Sequence, residues 1–228
     1  MQRKKILPDF LQGLSLTLRL KHSYEHQCFY ADDDIYWTYY SFDIVLQNIL
    51  DDNIEDIVIG NLEARRFLAA KASVDNFCPH CAFDMSDCNV QQYIDMLWDH
   101  DTHDLSPIFA NSLEDDCLWG DIFLLMSIDI FPQYRGYDLA NAATWIFYRN
   151  FCTTHDIIVL LAFPLQFGIT DEEKEKCKPE EFTGSLKECT TKLIKYYKKL
   201  GFKRIGRSNF MFFACEYTMI KPKILNFL

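Results

Sequence analysis

Residues 120–140, GDIFLLMSIDIFPQYRGYDLA, join a hydrophobic run to a turn whose chemistry suits an anion. Residues 122–130 are almost continuously apolar, which is the pattern of a buried strand. Pro132 stops the run, and Arg135-Gly136 opens a turn into an amphipathic helix over 139–151. A strand–turn–helix of this kind presents unsatisfied backbone N–H groups and a positive helix end to an anion, most often a phosphate. A second group of reactive side chains is Cys78-Pro79-His80-Cys81, with Cys88, His100 and His103 nearby in sequence. These types could furnish a tetrahedral zinc site or a redox pair. No second Cys-x-x-Cys completes the usual four-ligand pattern, so the expectation is a thiol-bearing loop without metal.

Two further segments stand downstream. Residues 157–166, IIVLLAFPLQ, read as a buried strand broken at Pro164; a proline removes a ladder donor, as in a strand that peels from its neighbour. Residues 196–202, YYKKLGF, close a helix that carries Leu193, Ile194, Tyr197 and Leu200 on one face and ends at Gly201. Lys198 and Lys199 suit the negative end of that helix.

These segments, in this order, resemble the GNAT acyltransferase superfamily, in which an Arg-Gly-x-Gly-x-Gly/Ala turn holds the pyrophosphate of acyl-coenzyme A. Arg135, Gly136 and Ala140 stand where that pattern places them, and Ile130-x-Pro132 precedes them. Asp138 occupies the place of the second glycine. A carboxylate facing phosphate at ~4 Å would cost up to ~4 kcal/mol at surface-like dielectric. Alternatively, Asp138 is an N-cap whose side chain turns along the helix end. The Phe-Pro-Leu-Gln wording at 163–166 and Asp84-Met85-Ser86 are similar to a bacterial subgroup of unassigned substrate.

The resemblance implies an α/β fold with a mixed, mostly antiparallel central sheet flanked by helices, its central strands splayed to admit a pantetheine arm. It implies acetyl-CoA or a related acyl-CoA as donor, and the amine of a small molecule or protein as acceptor. Ile128, Asp129 and Ile130 would line the pantetheine; Tyr134, Arg135, Gly136, Tyr137, Asp138, Leu139 and Ala140 would cradle the pyrophosphate. Tyr197 would protonate the departing thiolate, since a phenol of pKa ~10 keeps its proton at neutral pH. Its alternative is a core tyrosine on a helix face, and Tyr196, one position off the pattern, reads as packing. Asp121 is the first choice of base and Asp129 the second. They share parity and so face one side of an unbulged strand; the bulge common in the family here would separate them.

Composition narrows the alternatives. The chain has 228 residues, 49% hydrophobic and 15% aromatic, enough for a sizeable core in one domain over 1–228. Its net charge of −10, from 23 basic and 33 acidic residues, disfavours nucleic acid. No apolar run approaches the ~18–20 residues of a membrane helix, and the first residues lack the apolar core of a signal peptide, so the expectation is cytoplasmic. Nine cysteines, odd in number and irregularly spaced, do not form a secreted disulfide framework. Cys152 and Cys215 read as small hydrophobes.

The elements that must position these residues follow from periodicity. Residues 14–20 alternate as a first strand, 42–50 space apolar residues helically, and 57–60 and 62–70 read as two strands about a bulge or turn at Gly60. Residues 89–100 read as an amphipathic helix, 107–113 as a short one, 170–181 as an acidic loop and 210–216 as a last strand. Two other functions remain open: a catalytically silent acyl-CoA sensor or protein-binding module, and a zinc-stabilised interaction protein. The oligomeric state is not legible.

Overall fold

Alternating apolar residues build the sheet. Strand β1 (Ser15–Glu25) pairs antiparallel with β2 (Trp37–Gln47), β2 with β3 (Ile57–Phe67), and β3 with β4 (Ile122–Ile130). Beyond β4 lies β5 (Ile157–Leu161), which runs parallel to it. Then come β7 (Phe210–Ala214) and the short β6 (Lys203–Arg204), both in antiparallel pairings. The computed structural model describes residues 14–25, 36–48, 55–84, 88–113, 120–167 and 184–226. Among these the fold is mixed α/β on a mostly antiparallel sheet of order β1-β2-β3-β4-β5-β7-β6.

Helical segments α1 (Ala69–Val74), α2 (Pro79–Asp84), α3 (Cys88–Gln91), α4 (Ile94–Leu97) and α5 (Pro107–Ala110) lie between β3 and β4. Helix α6 (Leu139–Phe151) joins β4 to β5, as a parallel pair requires. Helix α7 (Leu186–Lys198) precedes β6 and begins at a capping box, with Ser185 accepting from the Glu188 N–H and Glu188 from the Ser185 N–H.

Successive strand residues point to opposite faces, and the core divides accordingly. One cluster holds Phe42, Ile44, Leu62, Phe123, Leu125 and the buried face of α6, with Leu193, Ile194 and Tyr197 of α7 packed against it. The other holds Trp37, Phe67, Ile122, Leu124, Val159 and the α1–α5 segment. Helix α6 is fixed by ring contacts: Phe147 lies 6.0 Å from Phe42 and 5.6 Å from Phe123, both edge-on. Each such pair contributes ~0.5–1.5 kcal/mol beyond its buried area.

Several boundaries differ from expectation. Residues 42–47 are strand, not helix: Phe42, Ile44 and Leu46 share one face at a period of two, and Asp43 and Val45 point the other way. Residues 57–67 form one strand, with the bulge at Ile59 rather than a break at Gly60. Gly60 is needed for a different reason, because a Cβ there would lie 2.1 Å from the Asp129 carbonyl oxygen. The stretch 69–74 turns helical instead of extending β3. The helix expected over 89–100 is two single turns, α3 and α4, after which Trp98 extends to bridge Leu105. Val90, Tyr93, Ile94 and Leu97 are all buried, so one side of the segment faces the core. Residues 107–113 begin as expected, with Ser106 capping the Phe109 N–H and Pro107 at the first position. The acidic loop 170–181, Met85 and Ser86 lie outside the described residues.

Candidate functional site: a gap between two parallel strands

Strands β4 and β5 are clamped at their starts. The Asp156 carboxylate accepts from the Asp121 N–H at 2.8 Å and the Thr153 N–H at 2.6 Å, and the Ile157 N–H donates to the Asp121 carbonyl at 3.0 Å. Gly120 permits this approach, since a Cβ there would sit 2.2 Å from the His155 carbonyl oxygen. The parallel ladder runs from Ile122↔Ile157 to Leu125↔Leu160 and ends there. β4 continues to Ile130 against β3 alone, whereas β5 stops at Leu161, before Pro164. The ladder between the two strands therefore has a gap beyond Leu125.

A bulge at Met126 marks where the gap begins, because Glu63 pairs with Ser127 and Ala64 with Leu125. It reverses the parity of the strand. Phe123 and Leu125 join the α6-side cluster before the bulge, and Ile128 and Ile130 join it afterwards. Asp121 and Asp129 consequently face opposite sides of the sheet. The backbone turns with them. The Phe131 N–H donates to the Ile59 carbonyl on β3, so by alternation the N–H and C=O groups of Ile128 and Ile130 point away from β3 into the gap.

Each expected residue can now be placed. Asp121 is buried and bound to Arg66, with Oδ2 2.8 Å from Nε and 2.6 Å from Nη2. It lies roughly 26 Å along β4 from Asp129, at the clamped end. Asp129 sits beside the gap with Oδ1 3.2 Å from Arg135 Nη2. Burial pushes its carboxyl above the usual range, against the opposing pull of Arg135. The Arg135 side chain folds back onto β4 instead of reaching outward, and its Nε donates to the Ile130 carbonyl at 2.6 Å.

The turn from β4 into α6 is built from two backbone reversals, Gly136 at φ 89° and Asp138 at φ 66°. The Tyr134 and Arg135 N–H groups are already used, donating to Phe131 and Pro132 carbonyls. Those of Gly136, Asp138, Leu139 and Ala140 have no acceptor among the described residues. Asp138 occupies the N-cap position, but its carboxylate makes no capping bond to the backbone. It accepts instead from Asn141 Nδ2 at 2.8 Å and interacts with the Tyr196 hydroxyl. That hydroxyl also accepts from the Asn141 N–H at 3.0 Å, which makes Tyr196 the cap of α6 rather than a packing residue.

Tyr197, next along α7, packs against Phe202 with ring centroids 5.8 Å apart. Burial pushes its phenol up to about 12. Its charge, if ionised, would be felt at both Tyr196 and Tyr93. Tyr93, between α3 and α4, approaches from the other face of the sheet. Its ring meets that of Phe210, which pairs with Leu161, the residue at which β5 ends. Sequence reasoning did not single out Tyr93, and its apolar spacing with Val90 and Leu97 signalled only a core position.

Away from the gap, Cys78 Sγ lies 3.2 Å from His103 Nδ1, and the His80 and His100 rings meet edge-on at 4.7 Å. Among the described residues, no three His, Cys, Asp or Glu side chains form a group that could hold a metal. A separate groove of about 530 Å³, lined by Lys187, Thr190, Ile194, Arg204 and Asn209 among others, includes none of the expected site residues. No helix among the described residues is long and apolar enough to cross a membrane.

Comparison of the chain with family models, curated proteins and solved structures returned no match.

Proposed function

We propose that the protein is a GNAT-like N-acyltransferase that moves an acyl group from acetyl-CoA, or a related acyl-CoA, to a primary amine. The observation that carries this reading is the gap beyond Leu125, into which Ile128 and Ile130 direct backbone groups beside a helix start with unsatisfied N–H groups. An extended amide-bearing arm matches the strand edge, and a pyrophosphate matches the turn at 136–140. The resemblance of the Arg135-Gly136 and Tyr197-x-x-x-Gly201-Phe202 segments points the same way.

In this reading the residues divide the work. Ile128 and Ile130 hold the arm through their main chain, Ile130 by its N–H because Arg135 already binds its carbonyl. Gly136, Asp138, Leu139 and Ala140 face the phosphates. Asp129, whose burial favours the protonated form, accepts a proton from the amine at pH values above its raised pKa. Tyr197 keeps its proton at neutral pH and donates it to the departing sulfur. Asp121 holds Arg66 and the start of β4 and takes no part in the chemistry.

A non-catalytic acyl-CoA binder is the second reading, favoured by one observation: both candidate bases are ion-paired, Asp121 with Arg66 and Asp129 with Arg135. Turnover separates the two. Release of free thiol from acetyl-CoA, measured against a panel of polyamines, aminoglycosides and peptide N-termini, should exceed the amine-free rate for at least one acceptor. That rate should fall ~10²–10⁴-fold in Tyr197→Phe. Acetyl-CoA binding with no turnover on any acceptor would leave the binder.

A further inference from the structure

Tyr93 stands apart from the residues given a role above. It comes from the α1–α5 segment, on the face of the sheet opposite α6, and only 1% of its surface is exposed. Its ring packs edge-on against Phe210 at 5.0 Å, and Phe210 pairs with Leu161 across β5 and β7. The ring is thus placed over the end of β5.

Strand geometry says where that end lies. The Ala162 N–H donates to Asn209 on the β7 side, and the Ile157 N–H donates to Asp121 on the β4 side. N–H groups alternate along a strand, so Leu161, like Ile157, directs its N–H toward β4. Leu160 is the last partner of Leu125, which makes Leu161 the apex of the gap. Partly buried Met126, at the bulge, and Leu161 pack into the same cluster as Tyr93. The apex is therefore walled from the α1–α5 side by a buried aromatic ring.

We propose that Tyr93 sets the acyl-chain length: the ring ends the gap just beyond the thioester, so that acetyl groups fit and chains of six or more carbons do not. This rests on the acyl-CoA reading above, in which the phosphates sit at the start of α6 and the arm runs along Ile130 and Ile128. A ring this buried and packed edge-on against Phe210 sits in a close-packed interior, so a longer chain meets a wall. The ring is a specificity-determining group, and its substitution alters which donor fits without removing the proton donor Tyr197.

The test is competitive calorimetry of free CoA, acetyl-CoA and hexanoyl-CoA on the purified full chain, wild type and Tyr93→Leu. Leucine keeps a buried apolar side chain while shortening the wall, and Tyr93→Phe serves as the variant that keeps the ring. Wild type and Tyr93→Phe should bind acetyl-CoA at least about tenfold more tightly than hexanoyl-CoA. Tyr93→Leu should reverse or abolish that preference, since four added methylenes would then be buried. Equal binding of both donors by wild type, or a preference unchanged in Tyr93→Leu, overturns the proposal while leaving acyl-CoA binding intact. Absence of binding by CoA and both thioesters in wild type overturns the acyl-CoA reading itself, and the proposal with it. A circular-dichroism melt of each variant shows that it is folded before titration; if Tyr93→Leu does not fold, the wild-type preference and its retention in Tyr93→Phe decide.

Discussion

The Tyr196 hydroxyl accepts a hydrogen bond from the Asn141 N–H at 3.0 Å, so the last turn of α7 caps the first turn of α6. Two helices far apart in sequence are thereby locked at the turn proposed to hold pyrophosphate. Tyr196→Phe leaves a buried N–H without its acceptor and should cost ~1–2 kcal/mol. In a chain of this size that is a fall in Tm of about 3–6 °C. Scanning calorimetry of the variant checks it, and an unchanged Tm would mean that the bond does not tie the helices.

Asp138 carries both a left-handed backbone and a negative charge beside that turn, with φ 66°. Asparagine tolerates this conformation and can keep the contact to Asn141 while removing the charge. Asp138→Asn should therefore tighten CoA binding, by a few-fold to about tenfold at low salt, with the gain shrinking as salt screens the pair. An affinity that is unchanged at low salt would place the carboxylate out of reach of the phosphates.

The proposed division of roles leaves Asp121 to the scaffold. Removing its charge strands a partly buried Arg66 guanidinium, and Asp121→Asn should destabilise by about 2–3 kcal/mol in urea unfolding. Acyl-CoA affinity in the folded variant should not move. Normal stability with lost turnover would return Asp121 to the chemistry.

Alkaline pH probes the buried phenols. The folded-state pKa of Tyr197 is raised to about 12, above an unfolded value near 10. The folded protein holds that proton more tightly, so the contribution is complete below pH ~10 and is lost as pH rises toward ~12. Wild type should lose Tm over this window more steeply than Tyr197→Phe. Parallel curves would show that the phenol titrates as if exposed.

Asp129 gives the opposite limb. Among the described residues Arg135 is the group that pulls its raised pKa down, so Arg135→Gln should raise it further. The acid limb of kcat/KM should then move to higher pH, with the alkaline side unchanged. A limb that stays in place would remove Asp129 as the base.

Much of the scaffold was legible in sequence because the relevant signals are local. The apolar run at 122–130, the turn at Arg135-Gly136 and the helix after it need only neighbouring residues to define them, and their bounds match the strand and helix found. β2 was misread because the spacing of Phe42, Val45 and Leu46 fits a helix as well as a strand; pairing with β1 and β3 decides it. The site was less legible, since its parts meet through the sheet. The Met126 bulge, which separates Asp121 from Asp129, exists only relative to Glu63 and Ala64 on β3. Arg135 bonding back to Ile130, Tyr196 capping α6 and Tyr93 packing on Phe210 join residues whose side chains carry no mark of their partners.

If the gap between β4 and β5 binds an acyl-CoA, isothermal calorimetry with acetyl-CoA detects it. Saturable heat is expected at one site per chain, with affinity that weakens as salt rises, because the turn at 136–140 is proposed to meet phosphate through backbone N–H groups and a helix dipole. No heat of binding at millimolar acetyl-CoA, from protein shown to be folded, would contradict it.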